Sequence, residues 1–308
     1  MNTTHACEHV ISAKQFNREQ LDRLFQEAGR MPMYRRLLER PLNGKIMASL
    51  FFEPSTRTRF SFESAMMRLG GQVISTENAR EFSSAIKGET LEDTIRVVSQ
   101  YADVIVLRHF EQGAARRAAS VSEIPVINAG DGAGEHPTQA LLDLYTIQTE
   151  LGTIDGTHIV MIGDLTYGRT VHSLSMLLTN YRDIRVTYVS PPQTQIPAHV
   201  REEIAAKGIR VVETDDLVKA VQDADVLYQT RVQKERFPSL EVYEEVKGKY
   251  VIDPHMMEHL QQHAIIMHPL PRAGEILPEV DQDPRAAYFR QAKNGVDVRM
   301  ALLLKCCL

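Results

Sequence analysis

The chain has 308 residues, 43% hydrophobic and 24% charged, with 35 Lys and Arg against 40 Asp and Glu for a formal net charge of −5. That composition excludes a disordered or fibrous chain, and the negative balance argues against wholesale binding to nucleic acid or an anionic membrane. No apolar run approaches the roughly 18 residues of a membrane helix, Met1–Glu8 carries no apolar core of a secretory signal, and Cys7, Cys306 and Cys307 make no disulfide framework and suit a reducing cytosol.

In chain order, Ile46–Phe52 reads as a buried strand. Thr58–Leu69 then sets Phe60, Ala65, Met66 and Leu69 at helical spacing and stops at Gly70-Gly71. Ala102–Arg108 and Ile124–Ala129 are further strands. Glu135–Leu151 is a long helix with Pro137 in its first turn, where proline fits best. His158–Gly163 is the next strand and Val171–Leu178 the next helix. Ile184–Val189, Ile209–Thr214, Ala224–Tyr228, Tyr250–Ile252 and Ala264–Met267 read as later strands, with helical stretches such as Pro197–Lys207 and Asp215–Val221 between several of them. Asp283–Cys306 reads as one long helix. Alternation of this kind predicts an α/β protein built of βαβ units, with parallel sheets covered by helices. Two doubly wound sheets fit the length, and the Glu135–Leu151 helix is the expected bridge between them.

Ligands of open α/β sheets bind where strands give way to loops, at the carboxyl ends. Six such junctions carry polar side chains. Glu53-Pro54-Ser55-Thr56-Arg57-Thr58-Arg59 opens a helix with hydroxyls, arginines and unsatisfied backbone N–H groups, the makings of a phosphate cradle. An ordinary Ser/Thr cap with exposed arginines is the blander reading of that stretch. Arg108-His109 closes the next strand. In Glu135-His136-Pro137-Thr138-Gln139 a neutral imidazole at a helix start is suited to donate to a carbonyl oxygen, against the plainer reading of a capping or packing histidine. Gly163-Asp164-Leu165-Thr166-Tyr167-Gly168-Arg169, Thr230-Arg231-Val232-Gln233-Lys234-Glu235-Arg236 and Met267-His268-Pro269-Leu270-Pro271-Arg272 follow later strands. The Gly163–Gly168 spacing matches neither a dinucleotide turn nor a Walker motif. His5-x-Cys7-x-His9 has zinc-ligand residue types, yet a polar chain end explains it more simply. One pattern outweighs the separate blander readings. Arg57, Arg108, Arg169, Arg231 and Arg272 recur after strand upon strand, which predicts small ligands rich in phosphate and carboxylate groups.

Longer motifs carry a family resemblance. The stretches Leu50–Glu63, KGETLEDT at Lys87–Thr94, NAGDGAGEHPTQALLDLYTI at Asn128–Ile147, GDLTYGRTVHSL at Gly163–Leu174, TRVQKERF at Thr230–Phe237, MHPLPR at Met267–Arg272 and DPRAAYFRQAKNG at Asp283–Gly295 resemble the catalytic chain of aspartate carbamoyltransferase, in that family's order and over nearly the whole chain. The resemblance implies transfer of a carbamoyl group from carbamoyl phosphate to L-aspartate, the committed step of pyrimidine synthesis, with no metal or organic cofactor. It implies a carbamoyl-phosphate-binding domain over 1–136, with a C-terminal helix over 292–308 packed back on it, and an aspartate-binding domain over 137–291. Matched motif by motif, Ser55, Thr56, Arg57 and Thr58 would hold the phosphate, and Arg108, His136 and Gln139 the carbamoyl end, with Thr58 and His136 polarising its carbonyl. Arg169, Arg231 and Gln233 would grip aspartate, with Leu270 and Pro271 contributing backbone and shape. Ser83 and Lys87 would reach in from a neighbouring subunit of a homotrimer, and Glu53 would join Arg169 and Arg236 in a salt-bridge set that favours domain closure. Regulatory chains that enlarge the assembly are left open; no nucleic acid or membrane partner is expected.

Two positions depart from the family pattern. Thr166 stands where lysine is usual, and Phe110 where proline usually follows Arg108-His109. The nearest rival, ornithine carbamoyltransferase, normally carries an H-C-L-P motif, whereas this chain has His268-Pro269-Leu270-Pro271 and, in Arg231 with Gln233, groups suited to a second carboxylate. A non-catalytic anion-binding relative would be expected to have lost Lys87, His136 or an arginine; all are present.

Overall fold

The computed structural model describes residues 8–78, 88–231, 239–246 and 248–308. The chain divides into two compact units, one running through Leu141 and taking back Asn294–Leu308, the other formed by Leu142–Lys293.

In the first unit β1 (Ile46–Phe51), β2 (Gln72–Glu77), β3 (Val104–His109) and β4 (Val126–Asp131) form a parallel sheet in the order β2-β1-β3-β4. The inner strands are near-continuous apolar runs because helices cover the sheet. Ala48, Leu50, Ile105, Leu107 and Val126 pack with Leu91 and Ile95 of the Leu91–Val98 helix and Ala114 and Ala118 of the Ala114–Val121 helix. Strand β2 escapes the sequence pattern: it lies at the edge, and Gln72, Ile74 and Ser75 are exposed, so it never had to be apolar throughout. Val10 adds a single parallel bridge to Ile127 beyond β4. The Arg18–Leu37 helix, started by an Asn17–Gln20 capping box, is joined to the C-terminal helix by an Arg35–Asp297 ion pair. That same helix sets Arg299 over the buried Phe62 ring, 5.0 Å from its centroid.

The second unit has β5 (His158–Ile162), β6 (Arg185–Val189), β7 (Arg210–Thr214), β8 (Val226–Gln229) and β9 (Ile265–Met267), all parallel, in the order β7-β6-β5-β8-β9. Val160, Ile162, Val189, Leu227 and Ile266 supply sheet residues of its core. Both sheets thus reverse strand order once, between β1 and β3 and between β5 and β8, which is where such sheets open a crevice for ligands.

Two predicted elements change. Tyr250–Ile252 is not a strand: Ile252 makes one bridge to Ile276, and the chain then turns into the Pro254–Glu258 helix, capped by Asp253 and opened by a proline with no N–H to extend a ladder. Asp283–Cys306 is not one helix either. The Arg285 carbonyl accepts from Ile266 N–H and Ala287 N–H donates back to Ile266, so Ala286 bridges beside β9 and the helix begins only at Tyr288, running to Cys307.

Candidate active site

In the first unit the candidate side chains sit after three neighbouring strands. The ladder between β1 and β3 continues one bond past β1, Phe52 N–H donating to Arg108 O at 2.8 Å, so Glu53 leaves the sheet beside Arg108. Glu53 Oε2 and Arg108 Nε form an ion pair at 3.0 Å. Ser55 then opens the Thr56–Arg68 helix with φ −160° and ψ 86°, and its side chain makes no capping hydrogen bond. The ordinary-cap reading of this stretch therefore fails, and the Ser55 hydroxyl stands at the polar opening turn of the helix. Thr56 and Arg57 are exposed, Thr58 is buried, and Arg59 is engaged by Glu77 at 3.0 Å.

Arg108 is 7% exposed, and its Nη1 donates to the Ala129 carbonyl at 3.1 Å. Its seat exists because residue 130 is glycine: at φ +114° a Cβ there would lie 2.5 Å from Arg108 Nη1. Pairing between β3 and β4 shifts register around Arg108, from Leu107–Asn128 to His109–Asp131. The His109 ring packs on Phe52 and stacks on Phe110 with centroids 4.3 Å apart, so the residue that replaces proline is anchored by its ring.

His136 is buried at the start of the Pro137–Leu151 helix, and its carbonyl accepts from Gln139 N–H at 3.0 Å. The turn before it is stitched by residues outside the predicted site. Asp131 Oδ1 accepts from Glu135 N–H at 2.9 Å and Oδ2 from Gly113 N–H at 2.9 Å. Glu135 in turn accepts from Ser12 Oγ and Ala13 N–H, each at 2.7 Å. The signal for this set was the turn-rich text Asn128–Glu135, whose acidic residues serve the loop rather than a ligand. His9, from the zinc-like run, accepts from Val126 N–H through Nδ1 at 3.1 Å; His5 and Cys7 lie outside the described residues.

The second unit repeats the arrangement after β5, β8 and β9. Gly163, at φ +113°, lets the chain pass Thr230, whose carbonyl would lie 2.5 Å from a Cβ. Thr230 closes on β5 from its side, with N–H and Oγ1 both donating to Ile162 O at 2.8 and 2.9 Å. This join sets the departure of Arg231. Arg169 is the first residue of the Arg169–Leu178 helix. Thr166, in place of lysine, donates to Gln195 O at 2.8 Å and ties the loop down. After β9, His268 Nδ1 accepts from Leu270 N–H at 2.7 Å and its Nε2 meets Glu275 at 2.7 Å. Burial works against ionisation of Glu275, but hydrogen bonds from His268 and Ala273 outweigh it and lower its pKa. Leu270 sits at φ +55° before a cis Pro271.

Of the arginines that recur after strands, Arg272 is committed internally. It grips Asp281, with Nη2 to Oδ2 at 2.6 Å, and bonds Tyr288 Oη at 3.1 Å, which raises its pKa. Ser83, Lys87, Gln233 and Arg236 lie outside the described residues. Among the described residues, no helix is long and apolar enough to cross a membrane.

Two family models match the chain: the carbamoyl-phosphate-binding domain of aspartate/ornithine carbamoyltransferase over residues 8–149, and the aspartate/ornithine-binding domain of the same family over 155–306. A chloroplastic aspartate carbamoyltransferase of Pisum sativum is 57% identical over 96% of this chain and 77% of its own length. The structure of aspartate transcarbamoylase from Trypanosoma cruzi in complex with N-(phosphonacetyl)-L-aspartic acid superposes with a TM-score of 0.93, 45% identity, and coverage of 100% of this chain and 98% of that one. The catalytic subunit of M. jannaschii aspartate transcarbamoylase gives 0.90 at 50% identity, covering 97% of each chain. With both sheets, both domain models and relatives of this identity in agreement, the chain belongs to the aspartate carbamoyltransferases of the aspartate/ornithine carbamoyltransferase family.

Proposed function

We infer that this chain transfers the carbamoyl group of carbamoyl phosphate to the amine of L-aspartate, giving N-carbamoyl-L-aspartate and phosphate for pyrimidine synthesis. The observation that carries the reading is the placement of arginine and hydroxyl side chains after adjacent strands at the reversal point of each sheet. The Trypanosoma cruzi relative, whose structure is described with carbamoyl phosphate and aspartate bound, shares 45% identity over 98% of this chain.

The residue roles follow from chemistry. Ser55, Thr56, Arg57 and Thr58 hold the phosphate on the opening turn of their helix, and Arg108, His136 and Gln139 hold the carbamoyl end. As the aspartate amine attacks, negative charge grows on the carbamoyl oxygen, and fixed donors at Thr58 and His136 lower the barrier. Arg57 and Arg108 stabilise the charge gained by the leaving phosphate, which accepts the amine proton. Arg169, Arg231 and Gln233 grip the carboxylates, with Leu270 and Pro271 shaping that side. Much of the remaining acceleration comes from holding two mutually repelling anions together. Ser83 and Lys87 complete the site of a neighbouring copy in a homotrimer. Glu53, Arg169 and Arg236 favour closure of the carbamoyl-phosphate domain (1–136 and 292–308) on the aspartate domain (137–291). Cysteines confined to the chain ends favour a reducing compartment such as the cytoplasm.

The test is carbamoyl transfer by the purified chain with aspartate and ornithine side by side. Carbamoyl-aspartate is the expected sole product; product from ornithine, or from neither amine, overturns the reading.

A further inference from the structure

Beneath the loops of the second unit lies a chain of buried polar groups that the chemistry above does not use. Asp143, fully buried, accepts from Tyr228 Oη at 2.7 Å through Oδ2 and from Gln291 Nε2 at 2.6 Å through Oδ1. Gln291 is also buried, and its Oε1 accepts from the His268 backbone N–H at 2.9 Å. The Tyr228 phenol is bonded in addition by the Thr170 side chain. Burial, and then the charge of Asp143, push the Tyr228 pKa well above its usual value, so the phenol stays protonated and donates.

Each end of this network abuts a proposed aspartate contact. Thr170 follows Arg169 directly; Tyr228 lies on β8, three residues before Arg231; His268 holds Leu270 N–H through its own ring at 2.7 Å. A carboxylate is a costly group to bury, but as a charge-assisted acceptor it fixes two donors at once more firmly than a neutral oxygen does. We propose that Asp143 is a positioning residue for aspartate binding, holding the segments that carry Arg169, Arg231 and Leu270 in one register through Tyr228 and Gln291. This rests on the reading of those three residues as the aspartate grip.

The experiment compares Asp143→Asn with the double variant Asp143→Asn/Gln291→Glu. In the single variant, the introduced amide has one acceptor oxygen for two donors. In the double variant, that amide donates to the carboxylate introduced by Gln291→Glu while still accepting from Tyr228. The same new carboxylate still accepts from His268 N–H, so every bond and the net charge return, with only the bond between residues 143 and 291 reversed in direction. Asp143→Asn is expected to raise the KM for aspartate at least about tenfold while the Kd for carbamoyl phosphate, by calorimetry, stays within about twofold; the double variant should recover most of the loss. Equal loss of both ligands, an unchanged aspartate KM, or no recovery in the double variant overturns the proposal. If Asp143→Asn does not fold, Tyr228→Phe, which removes one donor and almost no volume, carries the same comparison of aspartate KM against carbamoyl-phosphate Kd. Wild-type turnover with aspartate in the same assay reports on the underlying functional reading, so its failure is distinct from failure of this one.

Discussion

Glu53 and Arg108 face each other at 3.0 Å at the carboxyl ends of adjacent strands, the carboxylate one-third exposed and the guanidinium nearly buried. The arginine proposed to stabilise the leaving phosphate therefore carries a protein countercharge that an incoming anion must share. Glu53→Gln removes that charge at almost constant size. Without ligand the variant should lose about 1 kcal/mol of stability. Inorganic phosphate should bind it about threefold more tightly at low ionic strength and raise its Tm by more than it raises the wild type's. Thermal scans with and without phosphate decide this. Equal shifts would mean that Glu53 does not compete with the incoming anion for Arg108.

Gly130→Ala places a methyl group 2.5 Å from Arg108 Nη1, at a φ of +114° that L-residues avoid. Displacement of the guanidinium should lower kcat/KM for carbamoyl phosphate by about 100-fold, with a stability loss of about 1–3 kcal/mol from backbone strain. Steady-state kinetics at saturating aspartate read the first, and denaturant unfolding the second.

Arg231 and Arg272 both follow strands of the second sheet but should respond oppositely. Arg272 is held by Asp281 and Tyr288, so Arg272→Ala should cost about 1–2 kcal/mol of stability and change the aspartate KM little. Arg231→Ala should raise the aspartate KM by about 100-fold. Measuring both quantities on both variants exposes any exchange of these roles.

Acid should weaken the fold in two stages. Burial lowers the pKa of His9, His109, His158 and His172 below 6.5. Burial sets the downward shift of His158, whose Nδ1 lies 2.8 Å from Arg185 Nη2 and 3.0 Å from the Asp223 carbonyl and whose Nε2 lies 2.8 Å from Thr187 Oγ1; the hydrogen bond to the Asp223 carbonyl and the charges of Asp223 and Asp225 oppose the shift. The unfolded chain binds protons on these rings before the folded one does, so their contribution is complete above pH 6.5 and is lost as pH falls toward their folded values. The lowered carboxyls of Asp223, Asp281, Asp283 and Glu275 stabilise the fold above their unfolded range, and that part is lost only as pH falls through their folded values. Tm measured from pH 7.5 downward should show the first decline near 6.5, shallower in His158→Gln.

Much of the scaffold, and the loops that carry the candidate site, are legible in the chain. Apolar runs such as Ile46–Phe51 and His158–Ile162 announce strands because a strand covered on both faces must be apolar throughout, and the polar text after each run marks the loops. The rest depends on contacts between distant segments. The edge strand Gln72–Glu77 is half-exposed and carries no such run, Tyr250–Ile252 has the residues of a strand but a capped helix follows it at once, and Ala286 is taken from a predicted helix by a bridge beside β9. The division of the charged residues was likewise invisible. Arg57, Arg108, Arg231 and Arg272 look alike in a string of letters, yet Arg272 is bound by Asp281, Arg108 is seated against Glu53 by Gly130, and Asp143 meets Gln291 across 148 residues. Local propensity and periodicity are written in neighbouring residues, whereas which carboxylate holds which donor depends on strand order and register that bring distant segments together.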